Sequence, residues 1–227
     1  MSAVPPAPKS PIIEDVPVFP LPNVVLLPGG LLPLHVFEPR YREMTQDVVA
    51  GRRRLAVARL QPGFEADYYG RPAIHLVCGL GEVVRHEQRA DGRWDILLNG
   101  LSRVRVREEL PLARAYRVIR AEHLPDAQAA DSLALGAWQG ELLKLWSRLA
   151  PYLPTSVRDI CQRAKDEEAA GAFADRVAAA LIADPDERQS LLEELDPGER
   201  LCRLVERLHE LSAALSAGTA LPSSALN

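Results

Sequence analysis

The chain has 227 residues, 47% of them hydrophobic and 26% charged, with a formal net charge of −4. This size and balance suit one large soluble domain or two small ones, and no breaker-free run of eighteen apolar residues offers a transmembrane helix. Cys78, Cys161 and Cys202 are odd in number and far apart, which argues against a disulfide framework or a zinc cluster.

Residues 1–14 are rich in proline and lack the basic and apolar regions of a secretory signal; a disordered arm and a cytoplasmic location are expected. The segment from Val16 to Arg42 is apolar and carries Pro17, Pro20, Pro22, Pro28, Pro33 and Pro39 together with Gly29-Gly30. Proline cannot donate to a ladder or sit inside a helix, yet the segment must be buried. Short strands broken by prolines and a glycine turn satisfy both demands. Arg40 to Val49 places Tyr41, Met44, Val48 and Val49 on one helical face, with Pro39 at the first turn and Gly51 at the end.

Leu55 to Leu60 reads as a buried strand and Gln61 to Pro72 as a polar loop. Val83 to Arg89 and Trp94 to Leu98 flank Asp91-Gly92, a hairpin signal. Ser102 to Glu108 alternates, with Val104 and Val106 on one face and Arg103, Arg105 and Arg107 on the other. Tyr116 to Leu124 reads as a further strand.

After Pro125 the period becomes helical. Asp131 to Leu149 presents Leu135, Trp138, Leu142, Leu145, Trp146 and Leu149 as one stripe. A short helix capped by Thr155 or Ser156 and a helix over Phe173–Ile182 follow. Asp184-Pro185-Asp186-Glu187 and Asp196-Pro197-Gly198-Glu199 are matching helix starts, with Asp at N-cap, Pro at N1 and Glu at N3. The last helix carries Leu201, Leu204, Val205, Leu208, Leu211 and Leu215. The expected organisation is an arm over 1–14, a β-rich subdomain over 15–125, an α-helical bundle over 126–216 and a flexible tail over 217–227. The fold class is α+β.

Three segments carry a family resemblance. VFPLPNVVLLPGGLLPL followed by HVFEPRYREM resembles the opening of the Lon protease N-terminal, substrate-binding domain, and FEPRYR is closest to free-standing and cereblon-type relatives. GLGEVVRHEQRADGRWDILLNGLSRVRV and FADRVAAALIADPDERQSLLEELDPGERLCRLVERL resemble its second signature and its helical part. The resemblance runs from about Val16 to Leu211. It implies a PUA-like β pseudo-barrel followed by the bundle, and a role in binding polypeptide.

Full-length members of that family also need a P-loop to cradle ATP phosphates and a serine activated by lysine to cut peptides. No G-x-x-x-x-G-K-[ST] is present, and Lys9, Lys144 and Lys165, the only lysines, have no nucleophile motif nearby. A non-catalytic chain needing no cofactor and no metal is therefore expected. The histidines agree: His75 and Cys78 alone have ligand-like spacing, and a strand residue beside a buried thiol explains them better than a metal site.

Two constellations remain. Phe37, Glu38, Arg40 and Tyr41 form a loop-to-helix corner in the region that the resemblance associates with substrate engagement, and an apolar ring beside mixed charge suits weak capture of unfolded or hydrophobic segments. Arg52, Arg53 and Arg54, with Arg103, Arg105 and Arg107, form a candidate nucleic-acid patch, with Tyr116 able to stack. Residues 1–125 hold 17 basic and 14 acidic residues against 10 and 17 in the remainder, a weak asymmetry that favours solvated arginines over an RNA surface. The reading preferred is a peptide- or partner-binding domain, monomeric or weakly dimeric and without membrane contact. An RNA-binding PUA-like module is the alternative, and an enzyme with an unrecognised pocket ranks last.

Overall fold

A computed structural model describes residues 10–111, 113–128, 132–152 and 169–216. Residues 1–9 of the expected arm, the tail over 217–227, the helix capped by Thr155 or Ser156, Cys161 and the side chain of Leu215 lie outside the described residues.

Six strands form one sheet: β1 (Ile12–Leu21), β2 (Leu31–Val36), β3 (Arg54–Arg59), β4 (Val77–Gln88), β5 (Trp94–Glu109) and β6 (Arg117–Leu124). Their order is β2-β5-β4-β3-β1-β6, and β5 also pairs with β6. Strands β1, β3, β4, β5 and β6 therefore close into a ring, and β2 adds to the first half of β5, which pairs Leu31 with Asn99 and Val36 with Trp94. Closure leaves only short edges open to association. This is the expected pseudo-barrel.

Strand β1 is one ten-residue element, not a string of short ones, and it begins inside the stretch expected to be an arm. Ile12 and Ile13 pair with Glu122 and Ala121, and Glu14 holds Arg120 at 2.8 Å. The prolines fit because no stretch of β1 needs a full set of donors on both flanks. Pro17 faces a partner on β6, while β3 pairing starts only at Val18; Pro20 faces β3, beyond the end of β6 pairing.

Among the described residues there are five α-helices: α1 (Pro39–Ala50), α2 (Ser132–Leu149), α3 (Ala170–Leu181), α4 (Pro185–Glu193) and α5 (Pro197–Ser216). Asp184 caps α4 by accepting from the Glu187 amide at 2.8 Å, with Pro185 in the first turn. Asp196 accepts from the Gly198 amide at 2.7 Å at the start of α5. Leu142, Leu145, Trp146 and Leu149 of α2 are buried with Leu201, Leu204, Val205, Leu208 and Leu211 of α5, while Trp138 keeps 36% exposure.

The segment between β1 and β2 is the wall shared by two cores. Val25 and Leu27 pack with the helices, whereas Leu26 packs with the barrel residues Val57, Val83 and Leu98. The strap lies so close to the sheet that a Cβ on Gly79 would overlap the Leu26 carbonyl, and one on Gly100 the Leu27 carbonyl. Glycine alone gives the backbone this approach. Beyond the strap, Gly29 adopts φ 71° and its amide donates to the Gly100 carbonyl at 2.8 Å.

Polar links fasten the helices to the barrel. Arg103 of β5 forms a bidentate pair with Asp175 of α3, one arm at 2.7 Å, and donates to the Leu192 carbonyl at 3.0 Å. Arg59 of β3 reaches the Pro185 carbonyl at 3.0 Å and Asp186 at 2.7 Å, and Gln189 donates to the Val77 carbonyl at 3.1 Å. Among the described residues no helix is long and apolar enough to cross a membrane.

Candidate functional site

Helix α1 starts at the corner singled out in the sequence, and Pro39 presets its first turn. Glu38 occupies the N-cap position with extended backbone but makes no side-chain cap. Its carboxylate instead accepts from Arg40 Nε at 3.2 Å and from the Tyr68 hydroxyl at 3.1 Å. Arg40 also donates to the carbonyls of Tyr68 at 3.2 Å and Tyr69 at 3.3 Å, and its guanidinium lies 4.6 Å from the centre of the Tyr41 ring. Tyr41 is only 5% exposed and packs 4.6 Å from Phe19. The first turn of α1 thus grips the loop that follows β3.

That loop, residues 61–72, is a built element. Gln61 and Ala73 close its base through a backbone bond of 2.9 Å, and Leu60 bridges to Ile74. Gly63, at φ 87°, turns the chain into a 3₁₀ turn over Phe64–Asp67. Asp67 then accepts from the amides of Gly70 (at its backbone carbonyl, 2.9 Å) and Arg71 (at its carboxylate, 3.1 Å). The loop tip therefore holds Tyr68 and Tyr69 edge-to-face, with ring centres 5.2 Å apart. Tyr69 is 86% exposed.

Between the loop, α1 and the start of β6 lies a cleft of about 210 Å³ lined by Tyr41, Tyr68, Tyr69 and Tyr116, with Pro20, Leu60 and Pro72. Arg117, anchored by the Pro72 carbonyl at 2.8 Å and by Glu109, forms part of its wall. On the far side of Tyr116 is a second cavity, about 290 Å³, which contains Arg52, Arg54, Arg114 and Asp47 beside Val16 and Pro17. The partition is a fixed cluster: the Tyr116 hydroxyl donates to Asp47 at 2.6 Å, and Arg114 approaches both at 2.5 Å. Burial pushes the hydroxyls of Tyr41 and Tyr116 up to about 12, and the hydrogen bond to Asp47 adds to the effect at Tyr116. Tyr68 moves in the same direction, through burial first and then its bond to Glu38. These phenols are neutral donors and apolar faces at physiological pH, suited to recognition rather than proton transfer.

The structure divides the sequence-derived residues. Arg40 and Tyr41 line the cleft, and Glu38, outside the lining, holds Arg40 and Tyr68 in place. Phe37 does not line it; it is 59% exposed and stacks on His35 with centroids 6.3 Å apart. The arginine patch fails as a single surface. Arg103, expected on a solvated strand face, is 3% exposed and committed to Asp175 beneath α3 and α4. Arg107 pairs with Glu122, whereas Arg52, Arg53 and Arg54 are exposed at the turn from α1 into β3. Val104 and Val106 pack into the barrel as the alternation along β5 predicts, but helices cover one end of the arginine face and not the other. The residues missed are Tyr68 and Tyr69. Adjacent tyrosines in a polar Gly/Pro-containing loop were the available signal, since aromatic residues are enriched in the cores of binding interfaces.

Comparison with known proteins identifies the frame around this cleft. The family model of the ATP-dependent protease La (LON) substrate-binding domain matches residues 15–210. The chain belongs to the Lon substrate-binding domain family. It is 30% identical over 203 residues to Lon protease 2 of Sorangium cellulosum, covering 87% of this chain and 25% of that protein. It is 26% identical over 204 residues to Lon protease 2 of Myxococcus xanthus, covering 88% and 24%. The chain thus spans about a quarter of the curated relatives it matches.

Among solved structures, the N-terminal domain of the Mycobacterium avium complex Lon protease matches with a TM-score of 0.65 at 18% identity, covering 87% of this chain and 99% of that one. The Lon N-terminal domain protein from Xanthomonas campestris matches with a TM-score of 0.56 at 24% identity, covering 86% and 98%. At these identities the structures establish the Lon N-terminal fold, and the family match assigns a substrate-binding domain.

Proposed function

We propose that this Lon-type domain captures unfolded or hydrophobic polypeptide segments in the tyrosine-lined cleft between α1 and the 61–72 loop, and performs no catalysis itself. The observation that carries the reading is Tyr69, a large aromatic side chain held 86% exposed at the mouth of a preformed cleft. Exposing a ring on an ordered loop forfeits burial energy, and a ligand that covers it recovers that energy. The non-catalytic part rests on a family match confined to a substrate-binding domain. A cytoplasmic setting fits such a role.

The affinity is modest, because an unfolded segment must be ordered as it binds and only two or three side chains of it enter a cleft of this size. The test is fluorescence anisotropy with labelled, unstructured peptides bearing a single Phe. Tyr69→Ala weakens binding at least tenfold and leaves the thermal melt unchanged, whereas Phe37→Ala has little effect. Equal affinity in wild type and Tyr69→Ala removes the cleft from the reading.

The RNA-binding alternative loses its main support in Arg103, whose guanidinium is spent inside the fold.

A further inference from the structure

Resting on that reading, we propose that the cleft and the neighbouring arginine cavity act as one two-lobed site that selects extended segments in which an aromatic or large apolar residue is followed or preceded, three to four positions away, by an acidic side chain. The two lobes share Tyr116. Strand β1 runs past both, with Pro20 in the wall of the first and Val16 and Pro17 in the wall of the second. Pro20 and Val16 stand four residues apart on β1, about 13 Å at the rise of a strand, so an extended peptide crossing over the Tyr116 partition with its ring in the tyrosine lobe carries its fourth neighbour to the arginine lobe.

Charge sets the chemistry of the second lobe. It holds Arg52, Arg54 and Arg114 with Glu14, Asp15 and Asp47. Arg114 is neutralised by Asp47 at 2.5 Å and Glu14 is taken by Arg120 at 2.8 Å. Arg52 and Arg54 are exposed and form no ion pair with any described residue, and they leave Asp15 as the one unmatched acid. Two open guanidinium groups beside one carboxylate accept a single carboxylate well, and Arg offers it a planar fork. Two open guanidinium groups beside the unpaired Asp15 leave room for one added negative charge, and a polyphosphate backbone brings several. An acidic polypeptide is therefore favoured over nucleic acid.

The test uses the full chain and four labelled twelve-residue peptides of Ala, Ser and Gly, acetylated and amidated so that side chains alone carry charge. One has Phe with Glu four residues on, one has Phe with Gln there, one has Ala with Glu and one has Ala with Gln. The Phe–Glu peptide binds about three- to tenfold tighter than Phe–Gln, the range two exposed ion pairs supply. The difference vanishes in R52A/R54A and in 0.5 M NaCl, while Phe–Gln affinity is unchanged by the substitutions. Charge reversal in R52E/R54E with a Phe–Lys peptide restores the preference.

Equal binding of Phe–Glu and Phe–Gln, or a preference that survives R52A/R54A, overturns the two-lobed site and leaves peptide capture standing. Absence of binding by either Phe peptide overturns the functional reading itself and this inference with it. Displacement of bound Phe–Glu peptide by decauridine at equal concentration also overturns the inference, since it would make the lobe a phosphate site.

Discussion

Arg103 on β5 and Asp175 on α3 meet as a bidentate ion pair, each almost wholly buried, at the seam between the barrel and the helices. Arg200 of α5 approaches the same carboxylate at 3.3 Å and also holds Asp126 at 2.8 Å. One carboxylate thus ties a barrel strand to two helices. Burial pushes the Asp175 carboxyl up while Arg103 and Arg200 pull it down, so the guanidinium groups are what make a charged Asp175 tolerable there.

Breaking this pair from one side strands a buried charge. Arg103→Met should lower the unfolding free energy in urea by on the order of 3 kcal/mol, whereas Arg103→Met with Asp175→Leu should lose less than either single change. A loss below about 1 kcal/mol for Arg103→Met would mean that the seam is held by its apolar contacts alone.

The strap over the sheet makes a second demand. Gly79→Ala and Gly100→Ala each force a Cβ into a backbone carbonyl, and overpacking against backbone costs about 1–3 kcal/mol or more. Both variants should melt well below wild type by circular dichroism. Gly136→Ala, where a Cβ meets nothing within 4 Å, should melt at or above it, because alanine is the better helix former.

Cys78 is fully buried, and burial pushes its thiol up to about 12. Since the thiolate is the reactive form and its pKa is raised, reactivity is suppressed throughout the range below that value. Titration with a disulfide reagent at pH 8 should leave Cys78 unmodified in the native protein and modify it on unfolding in guanidinium. Rapid native modification would show that the barrel interior opens readily.

The Tyr68 hydroxyl ties the loop tip to Glu38. Tyr68→Phe keeps the ring and removes that bond, and should cost about 1 kcal/mol locally, read as faster amide exchange over residues 64–71 with the global melt little altered. Peptide affinity should fall only a few-fold, because the aromatic face remains.

Local pattern made most of the framework legible. The hairpin at Asp91-Gly92, the α1 face of Tyr41, Met44 and Val48, and the paired Asp-Pro helix starts all follow from short-range chemistry. Three things did not. Continuity of β1 through Pro17 and Pro20 depends on which flank each proline faces, which only sheet order decides. Arg103 looks like its neighbours Arg105 and Arg107 in sequence, and its burial comes from helices about ninety residues away. The cleft needs Tyr41, Tyr69 and Tyr116 brought together from three elements; the corner singled out in the sequence contributes Arg40 and Tyr41 to one wall, while Glu38 and Phe37 lie outside the lining.

The most direct test of the central claim is an amide chemical-shift titration of the isotopically labelled protein with a Phe-bearing unstructured peptide. The account predicts that saturable shifts gather at the first turn of α1, residues 68–72 and residues 115–117. Shifts gathered instead at Phe37 and the outer face of β2, or on the helices with the 68–72 segment unmoved, would contradict it.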